Sequence, residues 1–122
     1  MTASFIQENT ARYLICDARQ PLITASQLWD ELLLYNLSPE ARTELLAEFR
    51  RLTARELTFS SDITTLSGGQ KVLLMCLLAL LSPARNILFM DVMHSLDPAN
   101  RAALKELIDR HSSLRNIVLK QS

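Results

Sequence analysis

The pentapeptide Leu66-Ser67-Gly68-Gly69-Gln70 stands just before an unbroken run of ten apolar residues, 72–81. Ser67 is a favoured helix N-cap, so the sequence predicts a helix that begins beside the two glycines. The helix is predicted to end near Ser82, because Pro83 disfavours helical backbone in the residue before it. A run of this length is too short to span a bilayer, and we therefore predict a buried core helix.

The start of this helix has the properties of a phosphate-binding site. The first backbone N–H groups of a helix have no partner within the helix, and the helix dipole adds partial positive charge. Gly68 and Gly69 allow an anion to approach the backbone closely, and the Ser67 hydroxyl can donate to a phosphate oxygen. The alternative interpretation of the same residues is a loop followed by an ordinary helix cap.

On either side of this helix, short apolar runs alternate with helical patterns. This alternation predicts an α/β fold with parallel strands joined by right-handed crossovers. A sheet of three strands would have long open edges unless another element covers them. The predicted strands cover residues 13–16, 86–90 and 116–119, and the predicted helices cover residues 24 or 26 to 35, 39–55, 70–82 and 99–110.

The helices before the pentapeptide are predicted to bury one apolar face each. Ser38 followed by Pro39 is a strong helix start, with a capping side chain and a proline at the first helical position. Residues 59–65 are predicted to form a polar loop. The predicted apolar faces comprise Leu28, Trp29, Leu32 and Leu33 in the first helix, and Leu45, Leu46, Phe49 and Leu52 in the second.

The composition is that of one folded domain of 122 residues. Thirteen basic and thirteen acidic residues give a net charge of zero, which provides no electrostatic argument for a nucleic-acid or membrane partner. Cys16 and Cys76 lie in apolar contexts, and we predict reduced, buried thiols in a cytoplasmic protein. No spacing of residues suggests a metal site, and residues 1–10 are polar and do not resemble a signal peptide.

Leu-Ser-Gly-Gly-Gln is the signature motif of the ABC-type ATPases, and the chain resembles the C-terminal half of their nucleotide-binding domain. The resemblance implies a partial P-loop NTPase-like fold, helix-rich, with a helical subdomain and a small parallel sheet. It divides the single domain 1–122 into a helical subdomain at about 22–82, and a Walker B strand, D-loop, helix and terminal strand at 83–122. It also implies that the signature contacts the γ-phosphate of ATP held by the opposite subunit.

The first half of that family's domain has no counterpart in the sequence. No Gly-x-x-x-x-Gly-Lys-Ser/Thr occurs, and both glycines of the chain belong to the signature. A P-loop needs glycines so that successive N–H groups can surround the phosphates, and a lysine to neutralise them. We therefore predict that this chain does not bind ATP by the P-loop route.

The Walker B region retains only one of the two carboxylates that the resemblance implies. Alignment without a gap from Leu96-Asp97 places Met90 at the Asp position and Asp91 at the catalytic Glu position, and we favour this register. A one-residue deletion would instead make Asp91 the Walker B Asp, with Val92 in place of the Glu. Hydrolysis needs one group to hold Mg²⁺ and another to position water, so either register predicts a degenerate site with a vestigial Asp91.

Other landmarks of the family are weak in this sequence. Asp17 or Gln20 lies near the position of the Q-loop glutamine, and Gln121 stands closest to that of the switch histidine. His94 and His111 are interpreted as ordinary surface residues. Gln70-Lys71-Val72-Leu73 is similar to the signature helix of the SMC and recombination-repair branch more than to that of transporters.

The leading hypothesis is a degenerate ABC-ATPase-like chain without its own nucleotide site, inactive as an ATPase by itself. Ser67, Gly68, Gly69, Gln70 and Asp97 would be presented in trans to ATP and Mg²⁺ at a composite site. The partner would be a P-loop-bearing ABC-type ATPase subunit, or the chain would form a homo-oligomer. The alternative is a self-associating structural or regulatory module that binds no nucleotide, and a hydrolase that uses Asp91 as base is a third hypothesis.

Overall fold

The computed structural model describes residues 5–8, 11–24 and 26–121. Two strands open the chain, a helical segment follows, and two further strands flank the last helix. Two short 3₁₀ turns, Ile63–Thr65 and Met93–Ser95, precede the third and fourth helices. The elements are β1 (Phe5–Glu8), β2 (Ala11–Asp17), α1 (Leu28–Leu34), α2 (Pro39–Thr53), α3 (Gly68–Leu81), β3 (Asn86–Met90), α4 (Pro98–His111) and β4 (Asn116–Lys120).

The sheet has four strands in the order β1-β2-β3-β4. Strands β2, β3 and β4 are parallel, with Cys16 opposite Phe89 and Phe89 opposite Leu119. These three strands confirm the predicted α/β fold with a small parallel sheet. Strand β1 pairs antiparallel with β2 and was not predicted, because its residues lie in the polar segment 1–10. Residues 1–4 and 9–10 of that segment lie outside the described residues.

Helix α3 forms the centre of the core, as its sequence predicts. Every residue from Val72 to Leu80 is buried, and the helix contacts α2, α4 and β2. A helix that is apolar on all sides is stable only when other elements surround it. The helix ends at Ser82, whose backbone turns to an extended conformation. Within the described residues, no helix has the length and apolar character needed to cross a membrane.

Helix α1 starts later than predicted, at Leu28 instead of near residue 24 or 26. The preceding backbone is held by the segment before the signature, because the Leu28 and Trp29 N–H groups donate to the Ser61 and Phe59 carbonyls. Gln27 also forms an isolated bridge with Asp62. Residues 59–65, predicted to be a polar loop, therefore carry specific backbone pairing.

The predicted apolar face of α1 is partly wrong. Leu28 and Leu32 are fully buried, but Trp29 is 38% exposed and Leu33 is 51% exposed. The buried face continues through Glu31 and Tyr35, with the spacing of three and four residues expected for one side of a helix. The Trp29 ring is instead covered by Arg42, whose guanidinium carbon lies 4.8 Å from the ring centroid.

Helix α2 begins as predicted, and the Ser38 hydroxyl oxygen accepts a hydrogen bond from the Ala41 N–H at 3.2 Å. Leu45 and Phe49 are fully buried against the core, whereas Leu46 and Leu52 are partly buried. The helix ends at Ala54, which has a left-handed backbone with φ of 60°. This ending turns the chain toward Arg55 and the signature.

The two cysteines are buried free thiols, as predicted. Burial raises the pKa of the Cys16 thiol to about 12, although a hydrogen bond with Tyr35 acts in the opposite direction. Burial also raises the pKa of Cys76 well above its usual value. Because the thiolate is the reactive form, neither residue is suited to act as a nucleophile.

Candidate functional site

The signature forms a complete capping box at the start of α3. The Gln70 N–H donates to the Ser67 hydroxyl oxygen at 3.2 Å, and the Ser67 N–H donates to Oε1 of Gln70 at 3.2 Å. These two bonds fix the entry of the chain into the helix. Ser67 and Gly68 are exposed, and the first N–H groups of the helix point out of its open end. The Ser67 hydroxyl retains its proton for donation to another acceptor.

The two glycines of the signature have different surroundings. A Cβ atom at Gly69 would lie 3.2 Å from the Ser95 carbonyl oxygen, whereas a Cβ atom at Gly68 would meet nothing within 4 Å. Neither glycine has a positive φ, so left-handed backbone does not explain their presence. Gly69 lies in close contact with the turn before α4, so a side chain at this position requires the Ser95 carbonyl to shift slightly.

This difference predicts different stabilities for two alanine substitutions. We expect Gly68→Ala to raise the free energy of unfolding by about 0.5–1 kcal/mol, because alanine restricts the unfolded chain and fits the helix. Gly69→Ala should be about 1 kcal/mol less stable than Gly68→Ala, because Ser95 must move. Urea denaturation of both variants measures the difference. Equal stability of the two variants would contradict the close approach of Ser95.

Asp97, which the resemblance placed in the D-loop, caps the start of α4. Its Oδ1 accepts a hydrogen bond from the Asn100 N–H at 2.8 Å, and Pro98 occupies the first helical position. The N-termini of α3 and α4 open onto the same cavity, which has a volume of about 580 Å³. We call it the signature cavity, and it is lined by Leu52, Thr53, Ser67, Gly69, Gln70, Ser95, Asp97, Ala99 and Asn100.

The fold thus brings together most of the residues that the resemblance singled out in the signature and D-loop. Ser67, Gly69, Gln70 and Asp97 line the signature cavity, and Gly68 lies between two of them in sequence. Each of the two helix N-termini contributes partial positive charge, which favours an anion in this position. The Asp97 carboxylate is the acidic side chain among the lining residues, and its capping bond to Asn100 holds it at the helix end.

Arg55 is a neighbour of the signature that the sequence did not reveal. Its guanidinium nitrogens donate to Oε1 of Gln70 at 3.4 Å and to the Thr65 hydroxyl at 3.1 Å. Its backbone N–H donates to the Thr53 hydroxyl at 3.1 Å, which fixes the chain just after α2. A single arginine in a polar segment, fifteen residues before Gln70, gives no local signal of this contact. Only the packing of α2 against α3 brings Arg55 close to Gln70.

Asp91 and Gln121 lie apart from the signature cavity. Asp91 follows β3 with φ of 59°, is 8% exposed, and donates its N–H to the Lys120 carbonyl at 2.9 Å. Gln121 is exposed at the end of β4 and lines a different cavity. Both therefore lie at the carboxyl edge of the parallel strands.

The two candidates for the Q-loop position also lie at this edge. Asp17 ends β2 and forms an ion pair with Arg19 at 2.6 Å, and the hydrogen bond from Arg19 lowers the pKa of its carboxyl group. Gln20 is exposed, and its N–H donates to the Asp17 carbonyl at 3.0 Å. The carboxylate of Asp17 is thus occupied by a neighbouring arginine.

Comparison with known proteins gives matches among solved structures alone, since no protein-family model and no curated protein sequence matches the chain. An ATP-binding subunit of an ABC transporter superposes with a TM-score of 0.68 at 22% identity, over 88% of this chain and 48% of that chain. An inward-facing metal-chelate type ABC transporter gives a TM-score of 0.60 at 22% identity, over 88% and 47%. The fold is that of part of an ABC ATPase domain.

A third solved structure supports the same assignment of fold. An ABC transporter ATP-binding protein from Pyrococcus furiosus superposes with a TM-score of 0.64 at 16% identity, over 88% of this chain and 56% of that chain. The chain spans about half the length of the solved structures that it matches. At these identities the likeness establishes the fold, and function rests on the site itself.

Proposed function

We propose that this chain is a degenerate ABC-ATPase-like protein that presents its signature in trans to ATP bound on a partner subunit. The proposal rests on the signature cavity. Ser67, Gly69 and Gln70 line it together with Asp97, and the N-termini of α3 and α4 open onto it. The 122 residues contain no P-loop sequence that could hold the phosphates independently. A site that offers donors to phosphate without a P-loop is suited to complete another subunit's nucleotide site.

The chemistry proposed for this site is stabilisation of γ-phosphate charge. Backbone N–H groups at the start of α3 and the Ser67 hydroxyl would donate to the phosphate oxygens, and the capping box would hold these donors in place. Donors that are already oriented stabilise developing negative charge without the cost of reorganisation. The Arg55 guanidinium, bonded to the Gln70 side chain, would add positive charge beside them.

The partner would be a P-loop-bearing ABC-type ATPase subunit, which would supply the P-loop and hold ATP and Mg²⁺ at the composite site. A second copy of this chain would bring no P-loop sequence, so self-association alone would not complete a nucleotide site. The Asp91 carboxylate would be a remnant of a hydrolytic site, and it would at most position a water molecule or contact a metal ion.

Ser67→Asp is the sharpest test of the proposal. Aspartate caps a helix as well as serine, so the free energy of unfolding should change by less than about 0.5 kcal/mol. Its negative charge would repel the γ-phosphate, and we expect ATP hydrolysis by a copurifying P-loop subunit to fall at least about tenfold. The measurement is steady-state ATPase activity of the mixture, with denaturation of the isolated variant beside it.

The nucleotide-binding behaviour of the wild-type chain provides the control. Mg²⁺-dependent binding of labelled ATP should be detected only when the P-loop subunit is present. Tight, Mg²⁺-dependent binding of ATP by the isolated chain would disprove the proposal. If Ser67→Asp left the ATPase activity of the mixture unchanged, the signature would serve only as a helix start, and the interaction-module hypothesis would stand instead.

A further inference from the structure

A second cavity, about 380 Å³ in volume, lies between α4 and the end of β4. We call it the basic cavity. Four basic side chains line it, together with apolar groups that include Met93 and Leu119 and with no aspartate or glutamate. It shares no lining residue with the signature cavity. The basic residues are His94, Arg101, Lys105 and Lys120.

The fold explains why these side chains meet. Arg101 and Lys105 are one turn apart on α4 and therefore lie on the same face of the helix. Lys120 is the last residue of β4, and α4 is the crossover between β3 and β4. The carboxyl edge of parallel strands is where α/β proteins form ligand-binding crevices. The basic cavity occupies that position.

Arg101 is held in place by the chain before its own helix. Its Nε donates to the Met93 carbonyl oxygen at 2.9 Å, which links α4 to the turn that follows β3. The bond leaves the two terminal nitrogens of the guanidinium as further donors, and such a planar fork matches two oxygens of one phosphate. An arginine fixed in this way loses little conformational entropy when it binds an anion.

No carboxylate is among the residues that line the basic cavity. Across the described residues, no carboxylate forms an ion pair with Arg101, Lys105 or Lys120. The whole chain has a net charge of zero, so this positive cluster is a local departure from the average. Like charges held in one concave surface repel each other and raise the local concentration of anions.

We propose that the basic cavity binds the diphosphate group of a small phosphorylated molecule or of free pyrophosphate. The Arg101 guanidinium would donate two parallel hydrogen bonds to one phosphate, and the ammonium groups of Lys105 and Lys120 would attract the other oxygens as point charges. Met93 and Leu119 form an apolar wall beside them that can contact the carbon part of a diphosphate ester. A cavity of this volume lies within the range of small-molecule sites.

The experiment is a titration of the full chain with pyrophosphate in EDTA, followed by backbone amide chemical shifts. We expect saturable shifts at Arg101, Lys105 and Lys120, and a weaker affinity at higher salt. Lys105→Ala and Lys120→Ala should each weaken binding at least about fivefold, since each removes a charge-assisted contact. Arg85→Ala removes an exposed positive charge from the opposite end of β3 and should leave the affinity unchanged.

A parallel titration with isopentenyl diphosphate distinguishes the two sources of the ligand. Tighter binding than pyrophosphate would assign the site to a diphosphate ester, because its carbon tail can contact Leu119 and Met93. Equal or weaker binding would assign it to the free anion. The absence of saturable shifts with either compound up to about 10 mM would overturn the proposal. An equal loss of affinity in Arg85→Ala would overturn it as well.

Discussion

Phe49→Ala should lower the free energy of unfolding by about 3–5 kcal/mol, a large share of the stability of a domain of this size. The Phe49 ring is fully buried on α2, where that helix packs against α3. Its removal leaves a cavity lined by core side chains, which close only partly around the lost volume. The measurement is urea denaturation followed by circular dichroism, compared with the wild-type chain.

The same substitution is expected to disturb the signature cavity. The Phe49 carbonyl accepts a hydrogen bond from the Thr53 hydroxyl at 2.7 Å, and Thr53 in turn positions the Arg55 backbone. Loosening of α2 should therefore increase hydrogen exchange at Arg55. Leu114→Ala is the matched control, because Leu114 is 92% exposed and its loss should cost less than about 0.5 kcal/mol. Equal effects of the two variants would contradict the burial of Phe49.

Glu31→Ala should destabilise the chain by about 2–5 kcal/mol, because it leaves two backbone donors without a partner. Glu31 is completely buried on α1, and its carboxylate oxygens accept hydrogen bonds from the Ile23 N–H at 3.1 Å and the Thr24 N–H at 2.6 Å. These bonds attach the segment that leaves β2 to the helix that follows it. Glu31→Gln retains one oxygen acceptor and should cost less than Glu31→Ala.

Thr24→Val provides a control at the same place. The Thr24 hydroxyl is buried and lacks a hydrogen-bond partner within the described residues, so its removal should be neutral or slightly stabilising. Hydrogen exchange at the Ile23 and Thr24 amides should accelerate in Glu31→Ala and not in Thr24→Val. If Glu31→Ala were as stable as the wild-type chain, the carboxylate would not be holding this segment.

The sequence predicted the parallel part of the fold because its signals are local. Ser38 before Pro39 and Ser67 before the glycines fixed two helix starts through side-chain caps. The unbroken apolar pattern of residues 72–81 identified α3, and the runs that became β3 and β4 were recognised by their length. Strand β1 was not predicted because its two apolar residues, Phe5 and Ile6, are too short a run to indicate a strand, and only pairing with β2 defines it.

The sequence by itself determined the signature helix, its capping residues and the lack of P-loop residues in this chain, because each depends on neighbouring amino acids. The tertiary structure decided what those residues meet. Gly69 lies against Ser95, Arg55 reaches Gln70, and Arg101 and Lys120 share a cavity, although each pair is separated in sequence. Such contacts arise from how helices pack on the sheet, and helix packing is not encoded in any one segment.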